Sequence, residues 1–126
     1  MLKVVCGIIR NQQGKYLLVQ RSAGMNHPLK WEFPGGKLEP KEDAGEAIQR
    51  ELKEELDVEV IPGRRLTTVS WEYPGKKIGL IPIICELRFN QISLKEHRQY
   101  AWYSLEEIRK LNILEADRVI LTQLDG

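Results

Sequence analysis

The segment DAGEAIQRELKEEL, residues 43–56, constrains the fold more than any other part of the chain. Its apolar residues recur every four positions, at Ala44, Ile48, Leu52 and Leu56. That spacing lays one apolar stripe along a helix of about four turns, and such a stripe must pack against a core. Asp43, followed three residues later by Glu46, has the pattern of a capping box and predicts where the helix begins.

Three glutamates lie close together on this predicted helix: Glu51, Glu54 and Glu55. Because they are three and four residues apart, their carboxylates share one face beside the apolar stripe, and we expect the side chains to converge. Like charges so placed repel one another by roughly a few tenths of a kcal/mol per pair, and more where water is partly excluded. A hard divalent cation removes that cost, since carboxylate oxygens suit Mg²⁺ or Mn²⁺. Taken alone, the fragment is more typical of a charged helix face in solvent than of a metal site.

Apolar and β-branched runs on both sides of the helix predict strands. KVVCGIIR and KYLLVQR, residues 3–10 and 15–21, are separated by NQQG and predict a β-hairpin. Residues 64–73 and 78–89, joined through PGKK, predict a second and longer hairpin.

The last part of the chain predicts one more strand and two helices. QYAWYSL, residues 99–105, has the composition of a short strand. SLEEIRKL predicts a helix capped by Ser104, and residues 115–124 predict a final helix. Strands and helices therefore alternate irregularly, which indicates an α+β fold with a mixed β-sheet covered by helices on both faces.

Composition and charge limit the classes of function. The chain has 126 residues, of which 42% are apolar, and fits one compact domain spanning residues 1–126. Its net charge of +1 gives no overall field that would attract nucleic acid or an acidic membrane surface. The sequence has no cleavable signal pattern. It also has no apolar run approaching the length of a membrane-spanning helix, about 18 residues, so we expect a cytoplasmic protein.

The two cysteines favour a structural interpretation. Cys6 and Cys85 both lie in apolar runs that resemble strands, and there is no C-x-x-C pair. Only His27 and His97 could complete a zinc site. We therefore expect both thiols to be small buried apolar groups rather than members of a disulfide or a metal site.

The glutamates belong to a longer arrangement of residues. It reads Gly36, five residues, Glu42, seven residues, Arg50–Glu51, Leu52, one residue, Glu54–Glu55, one residue, Asp57 and Val58. This arrangement resembles the box of the Nudix hydrolase family, G-x5-E-x7-R-E-U-x-E-E-x-G-U, in which U is apolar. Only Asp57 departs, where the box has its second glycine. A glycine after a helix serves a left-handed backbone that aspartate tolerates, so the departure affects local stability more than chemistry.

The resemblance implies a fold, a reaction and a metal site. The fold is the α/β/α sandwich of the family. The reaction is cleavage of a nucleoside diphosphate linked to another group, by metal-assisted attack of water on phosphorus. The resemblance assigns Mg²⁺, replaceable by Mn²⁺, to Glu51, Glu54 and Glu55 together with the backbone carbonyl of Gly36. One of these glutamates, with Glu51 preferred, orients or deprotonates the water.

Further residues receive roles by the same resemblance. Glu42 and Arg50 are expected to form an ion pair that tethers the preceding loop to the helix. Gly35 lets backbone approach the phosphates closely. Glu96, in the loop before the predicted strand 99–105, resembles a metal-binding glutamate of MutT-like members, and it is equally typical of an exposed loop acid. Arg21 resembles a phosphate-contacting position, with a surface role as the alternative.

Aromatic residues and one aspartate are candidates for binding the base. Trp31, Phe33, Trp71 and Tyr73 lie in WEFPGG and SWEYPG and could either stack on a base or belong to the core, with Phe33 the preferred stacker. Asp117, in LEADRVI, resembles a residue with which MutT-like and CTP-cleaving relatives recognise the base edge. The alternative is that Asp117 caps the final helix.

The resulting hypothesis is a nucleoside triphosphate pyrophosphohydrolase that releases a monophosphate and pyrophosphate. The short chain favours small triphosphates, either oxidised guanine nucleotides or cytidine-type ones. Three alternatives stay open: a hydrolase of dinucleotides or nucleotide sugars, a noncatalytic module that binds a nucleotide, and a structural protein with a charged helix.

Overall fold

The computed structural model describes residues 1–88 and 91–125 of the chain. Within them the strands are β1 (Leu2–Ile9), β2 (Tyr16–Gln20), β3 (Trp31–Glu32), β4 (Gly35–Lys37), β5 (Val60–Arg65), β6 (Val69–Tyr73), β7 (Lys76–Leu87) and β8 (Gln99–Tyr103). The helices are α1 (Ala44–Leu56), α2 (Leu105–Arg109) and α3 (Glu115–Ile120), and a short 3₁₀ turn, Leu121–Gln123, follows α3.

The larger sheet is built around the parallel pair of β1 and β7, in register from Leu2 opposite Ile78 to Ile9 opposite Cys85. Its order is β4–β1–β7–β5, and β6 also pairs with β7, so the sheet is mixed. The antiparallel pairing of β6 with β7 confirms the longer predicted hairpin, although β6 begins only at Val69. Phe89, which the sequence placed at the end of this hairpin, lies outside the described residues.

The first predicted hairpin is wrong. The chain does reverse after Arg10, where the Asn11 side chain accepts hydrogen bonds from the backbone N–H groups of Gln13 and Lys15. However, β2 pairs with β3 and β8 in a second, three-stranded sheet, and a single bridge between Arg10 and Tyr16 is the pairing described between the two runs. β1 is buried on both faces at its end and takes β4 and β7 as neighbours instead.

Helices cover both faces of the larger sheet, as predicted. On β1, Val5 and Ile9 belong to one core cluster, which contains the apolar stripe of α1. The alternate residues Cys6 and Ile8 belong to a second cluster, which contains the apolar residues of α2 and α3. Because side chains alternate across a strand, one buried strand anchors both layers.

The ends of α1 follow the sequence closely. Asp43 is the N-cap and forms a capping box with Glu46, as predicted. The helix ends at Leu56, and Asp57 is its C-cap, with φ 54° and ψ 42°, the left-handed backbone expected of the missing glycine. Lys53 lies 2.9 Å from the Asp57 carboxylate on the exposed side of the helix.

Two further expectations concern the carboxyl-terminal half and the cysteines. Ser104 caps α2 with Glu107 as its capping-box partner, which confirms the predicted start of that helix. Cys6 and Cys85 are both buried free thiols, as expected. Burial raises the pKa of both thiols, that of Cys85 to about 12. None of the described helices is long and apolar enough to span a membrane.

Candidate active site

Gly36 and Glu51 lie in direct contact where β4 meets α1. A Cβ atom on Gly36 would overlap the carboxylate of Glu51, so the close approach requires a residue without a side chain. Glu51 is only 8% exposed. Burial raises the pKa of the Glu51 carboxyl, and the neighbouring Glu54 and Glu55 raise it further against the opposing effect of Arg50. This pair sets a carboxylate with an elevated pKa beside a strand backbone.

Arg50 connects the loop before α1 to the helix. Its Nε and Nη2 atoms donate to the two carboxylate oxygens of Glu42, at 2.7 and 3.0 Å. Nη2 also donates to the Lys37 carbonyl at 3.0 Å, while Nη1 lies 3.4 Å from both Glu51 and Glu54. The hydrogen bonds from Arg50 lower the pKa of the Glu42 carboxyl. The expected Glu42–Arg50 ion pair is thus present and is bidentate.

Glu55 belongs to a second chain of contacts that runs through the interior. His97 lies with Nδ1 3.4 Å from Glu55 Oε2 and with Nε2 2.9 Å from Glu32 Oε2. Glu32 in turn receives two hydrogen bonds from Arg21 Nη1, at 3.1 and 3.2 Å, and Arg21 Nε donates to the Asn26 carbonyl. Arg21, expected to contact phosphates, is therefore paired with a carboxylate.

The expectation that the three glutamates converge is confirmed for Glu51 and Glu54, which meet at Arg50 Nη1, and is wrong for Glu55. Glu51 and Glu54 are directed towards Arg50, whereas Glu55 is directed towards His97. Among residues 1–88 and 91–125, no group of three His, Cys, Asp or Glu side chains is assembled closely enough to hold a metal ion. Mutual repulsion along one helix face and the attraction of nearby cationic or polar groups explain why the side chains separate.

The same residues nevertheless fit a hard divalent cation. The available donors are carboxylate oxygens and the backbone of Gly36, which is the oxygen-rich set that Mg²⁺ and Mn²⁺ prefer. Burial raises the pKa of the Glu55 carboxyl, as it does for Glu51, and Glu96 and Glu32 raise it further while His97 opposes them. Glu96 itself is exposed and precedes β8. A bound cation would relieve this concentration of negative charge.

A cavity of about 80 Å³ lies between the larger sheet and α3, and we call it the Asp117 cavity. Asp117 is 5% exposed and its Oδ2 accepts a hydrogen bond of 2.8 Å from the Phe33 backbone N–H. Burial raises the pKa of the Asp117 carboxyl well above its usual range, and Glu32 adds to the rise. The lining residues are Val4, Val5, Cys6, Glu32, Phe33, Gly35, Tyr73, Ile78, Leu80, Leu114 and Asp117.

Asp117 does not cap α3, so that alternative is wrong. The residue before the helix is Leu114, and Asp117 lies inside the helix with its carboxyl turned towards the cavity lining. The cap position cannot be filled by Asp117, because a cap residue must precede the first helical turn. The position of Asp117 within the helix therefore brings its carboxyl into contact with Phe33, which lies 84 positions earlier in the chain.

The four aromatic candidates differ in their surroundings. Phe33 is 2% exposed and Tyr73 is 9% exposed, and both line the Asp117 cavity. The Tyr73 hydroxyl accepts a hydrogen bond of 3.0 Å from the Ala116 N–H. Trp31 is buried edge-on against Tyr103, and Trp71 is partly buried against the same core cluster. Of these four aromatic residues, Phe33 and Tyr73 are therefore the ones that can contact a group inside the cavity.

Sequence reasoning missed two residues that join the parts of this site. Glu32 immediately precedes Phe33, and His97 immediately follows Glu96, so both lie next to residues that were singled out. His97 is 9% exposed although it occupies a polar loop segment, and Glu32 is partly buried. Their contact joins residues 65 positions apart, which no local pattern indicates.

A larger hollow, about 580 Å³, lies elsewhere on the molecule. It is lined by the ends of β1 and β7 and by Tyr100 and Trp102 of β8, and it contains none of the α1 glutamates. We place the candidate site at the smaller Asp117 cavity, because there a buried carboxyl with a raised pKa, that of Asp117, meets a concave surface.

Comparisons with known proteins match almost the whole chain. A protein-family description, NUDIX domain, matches residues 2–124. The CTP pyrophosphohydrolase of Escherichia coli (strain K12) is 36% identical over 121 residues, covering 96% of this chain and 89% of that protein. The 8-oxo-dGTP diphosphatase of the same strain is 28% identical over 123 residues, covering 98% and 95% respectively. The crystal structure of MutT protein from Methanosarcina mazei Go1 superposes with a TM-score of 0.89 at 31% identity, covering 97% of this chain and 91% of that one.

Proposed function

Because the chain belongs to the Nudix hydrolase family, we propose that it hydrolyses nucleoside triphosphates to a nucleoside monophosphate and pyrophosphate. The base occupies the Asp117 cavity, and the triphosphate extends towards the glutamates of α1. One observation carries this arrangement: Glu32 lines the cavity and is joined through His97 to Glu55. The relatives named for CTP and 8-oxo-dGTP support the substrate class. We further propose that residues 1–126 form one domain.

The α1 glutamates supply the cation site in this proposal. Members of the family generally use divalent metal ions, and we propose Mg²⁺, with Mn²⁺ as a substitute. Glu51, Glu54, Glu55 and the Gly36 carbonyl would hold it, and Glu96, which is exposed before β8, would add a ligand. When bound, the ion polarises a phosphoryl oxygen and offsets the charge of the polyphosphate.

Glu51 is the proposed general base. A carboxylate removes a proton from water more readily when its pKa is raised, and burial raises the pKa of Glu51. Its contact with Gly36 fixes one edge of the carboxylate against the strand backbone. Arg50, bonded bidentately to Glu42, limits the movement of the helical turn that carries Glu51. Glu42 and Arg50 are therefore structural residues in the proposed site.

Asp117 is the residue that we propose forms hydrogen bonds with the edge of the base. Its raised pKa favours the neutral carboxyl, which offers one donor and one acceptor side by side. Cytosine presents a ring nitrogen acceptor next to an amine donor and matches that pair. Guanine-type bases present a carbonyl acceptor next to a ring N–H donor and match it as well, and the 8-oxo-dGTP diphosphatase relative favours them as the second candidate. Phe33 and Tyr73 would contact the base faces. Gly35, which lacks a side chain where β4 packs closely against the Val5 backbone, would present its backbone to the cavity.

Arg21 has a positioning role in this proposal. Its Nη1 donates to both oxygens of Glu32, and its Nε donates to the Asn26 carbonyl in the loop that follows Arg21. Charge-assisted hydrogen bonds from one nitrogen to both oxygens hold the carboxylate centred on that nitrogen. Arg21 would therefore contribute to substrate binding mainly by orienting Glu32 at the cavity wall.

A turnover screen with Mg²⁺ tests the proposed function. The panel contains CTP, dCTP, GTP, ATP, 8-oxo-dGTP and ADP-ribose, and the products are identified chromatographically. We expect release of pyrophosphate from at least one triphosphate, with cytidine or 8-oxoguanine nucleotides preferred. Absence of pyrophosphate from every triphosphate would refute the proposal, and a preference for ADP-ribose would replace it with the nucleotide-sugar or dinucleotide class.

Two matched variants assign the turnover to the proposed site. Glu51→Gln keeps the size of the side chain but removes the base, and we expect kcat to fall by about 100-fold or more. Glu106→Gln changes an exposed glutamate on α2 and should leave kcat unchanged. Equal activity of the two variants would contradict the role of Glu51.

A further inference from the structure

His97 is a buried ring that touches two carboxylates from different elements. Its side chain is only 5% exposed. Nε2 lies 2.9 Å from Glu32 of β3, and Nδ1 lies 3.4 Å from Glu55 of α1. Nδ1 has no hydrogen-bond partner among the residues that the structure describes. A buried polar atom left in this way is uncommon and calls for a specific explanation.

The two carboxylates serve different parts of the proposed site. Glu32 lines the Asp117 cavity, where its position is fixed by Arg21. Glu55 is a candidate metal ligand on the opposite side of the ring. The imidazole of His97 therefore lies between Glu32, which would contact a base, and Glu55, which would bind a cation.

We propose that His97 is a positioning residue that couples filling of the Asp117 cavity to cation binding at Glu55. The inference rests on the proposed function. A base in the cavity contacts Glu32 and replaces its hydrogen bond with Nε2. The single ring proton can then be carried on Nδ1 instead of Nε2, and a small shift of the ring shortens the 3.4 Å approach so that Nδ1–H donates to Glu55. Glu55 is then held in one orientation, and the cation binds more tightly.

Two substitutions at His97 each remove one half of this bridge. The amide nitrogen of glutamine reaches about as far as Nε2, so His97→Gln keeps a donor for Glu32 and loses the contact with Glu55. The amide nitrogen of asparagine lies near the position of Nδ1, so His97→Asn keeps the donor for Glu55 and loses Glu32. Both variants retain a polar group in the same space, and thermal unfolding identifies any variant that does not fold.

The experiment measures Mn²⁺ affinity of the full chain by electron paramagnetic resonance, with and without a saturating nucleoside. Cytidine and 8-oxo-2′-deoxyguanosine are the probes, because a nucleoside fills the cavity without bringing phosphates that bind Mn²⁺ themselves. We expect the effective nucleoside to tighten Mn²⁺ binding about fivefold or more, which is within the usual range of coupling between sites. In His97→Gln and His97→Asn the factor should fall below about twofold, while Glu106→Gln keeps it.

The outcomes separate this inference from the proposed function. A factor near one in the wild-type chain, or an unchanged factor in both folded variants, overturns the coupling role even when triphosphate turnover is normal. A wild-type chain that releases no pyrophosphate refutes the proposed function, whereas the Mn²⁺ titration is read independently of turnover. As a second readout, both variants should raise the Mg²⁺ concentration needed for half-maximal rate at saturating nucleotide about fivefold. A merely structural histidine would change melting temperature without changing the nucleoside-dependent factor.

Discussion

Replacing Asp117 by asparagine should change the unfolding free energy in a pH-dependent way. The difference between the variant and the wild type should favour the variant more at neutral pH than at acidic pH. Burial and the nearby Glu32 raise the pKa of the Asp117 carboxyl, so the folded state binds this proton more tightly than the unfolded state. The stability contributed by the proton is fully present below the unfolded pKa of about 3.9 and is lost as pH rises through the folded pKa. Asparagine does not titrate, and its carbonyl still accepts the Phe33 N–H.

The size of the effect follows from linkage. Where the folded state holds one proton that the unfolded state has released, stability falls by about 1.4 kcal/mol for each pH unit. The difference in unfolding free energy between Asp117→Asn and the wild type should therefore grow with pH at up to that slope. Asp117→Leu removes the acceptor altogether and leaves the Phe33 N–H buried without a partner, which costs about 1–3 kcal/mol at every pH.

Urea denaturation at pH 5, 6, 7 and 8 measures these differences, with a chelator present so that cation binding does not shift the equilibrium. The carboxyls of Glu51 and Glu55 also have raised pKa values, but they titrate in all three proteins and cancel in the comparison. If the stability curves of the asparagine variant and the wild type run parallel from pH 5 to 8, the inferred neutral carboxyl is refuted.

Three further predictions follow from the described contacts. Asp57→Gly should raise the unfolding free energy by about 0.5–1 kcal/mol, since it relieves a left-handed residue and a negative charge at a helix end, and a lower melting temperature would contradict this. Gly36→Ala should lower kcat about 100-fold, because the added Cβ would overlap the carboxylate of Glu51, the proposed base, whereas Gly24→Ala adds a Cβ in open space and should leave kcat unchanged. Arg50→Lys loses the bidentate pair with Glu42 and should lower the melting temperature by about 5 °C in thermal denaturation.

The elements that the sequence predicted well are those determined by neighbours in the chain. The capping box of Asp43 and Glu46 and the apolar stripe of α1 depend on residues within one or two helical turns. The hairpin of β6 and β7 depends on a short turn at Gly75, whose φ is 75°. In each case a local interaction outweighs any long-range competitor.

The first predicted hairpin, which was wrong, shows what the local sequence does not determine. The turn after Arg10 forms as predicted, yet partner choice for β1 depends on burial. A strand whose residues are buried on both faces gains most from an interior position, and β7, more than 70 residues away, supplies the longest complementary partner. Turn chemistry reverses the chain, but it does not decide which sheet receives the next strand.

The same distinction applies to the candidate site. The box residues of α1 could be named because the sequence resembles the Nudix box, and helical spacing puts its glutamates on one face. Their side-chain directions could not, since Arg50 and His97 draw the carboxylates apart. The contacts of Asp117 with Phe33 and of Glu32 with His97 cross 84 and 65 residues of chain, and only the packed fold brings them together.

Positions 36 and 57 correspond to two glycines of the family pattern. The structure gives a different physical reason for a glycine at each position. At position 36 a side chain would occupy the space of the Glu51 carboxylate, so the requirement is steric and lies inside the site. At position 57 the requirement is a left-handed backbone at an exposed helix end, which aspartate meets at a modest energetic cost. The chain can therefore lose the second glycine and keep the arrangement of its acids, whereas the same change at the first would displace the carboxylate on which the proposed chemistry depends.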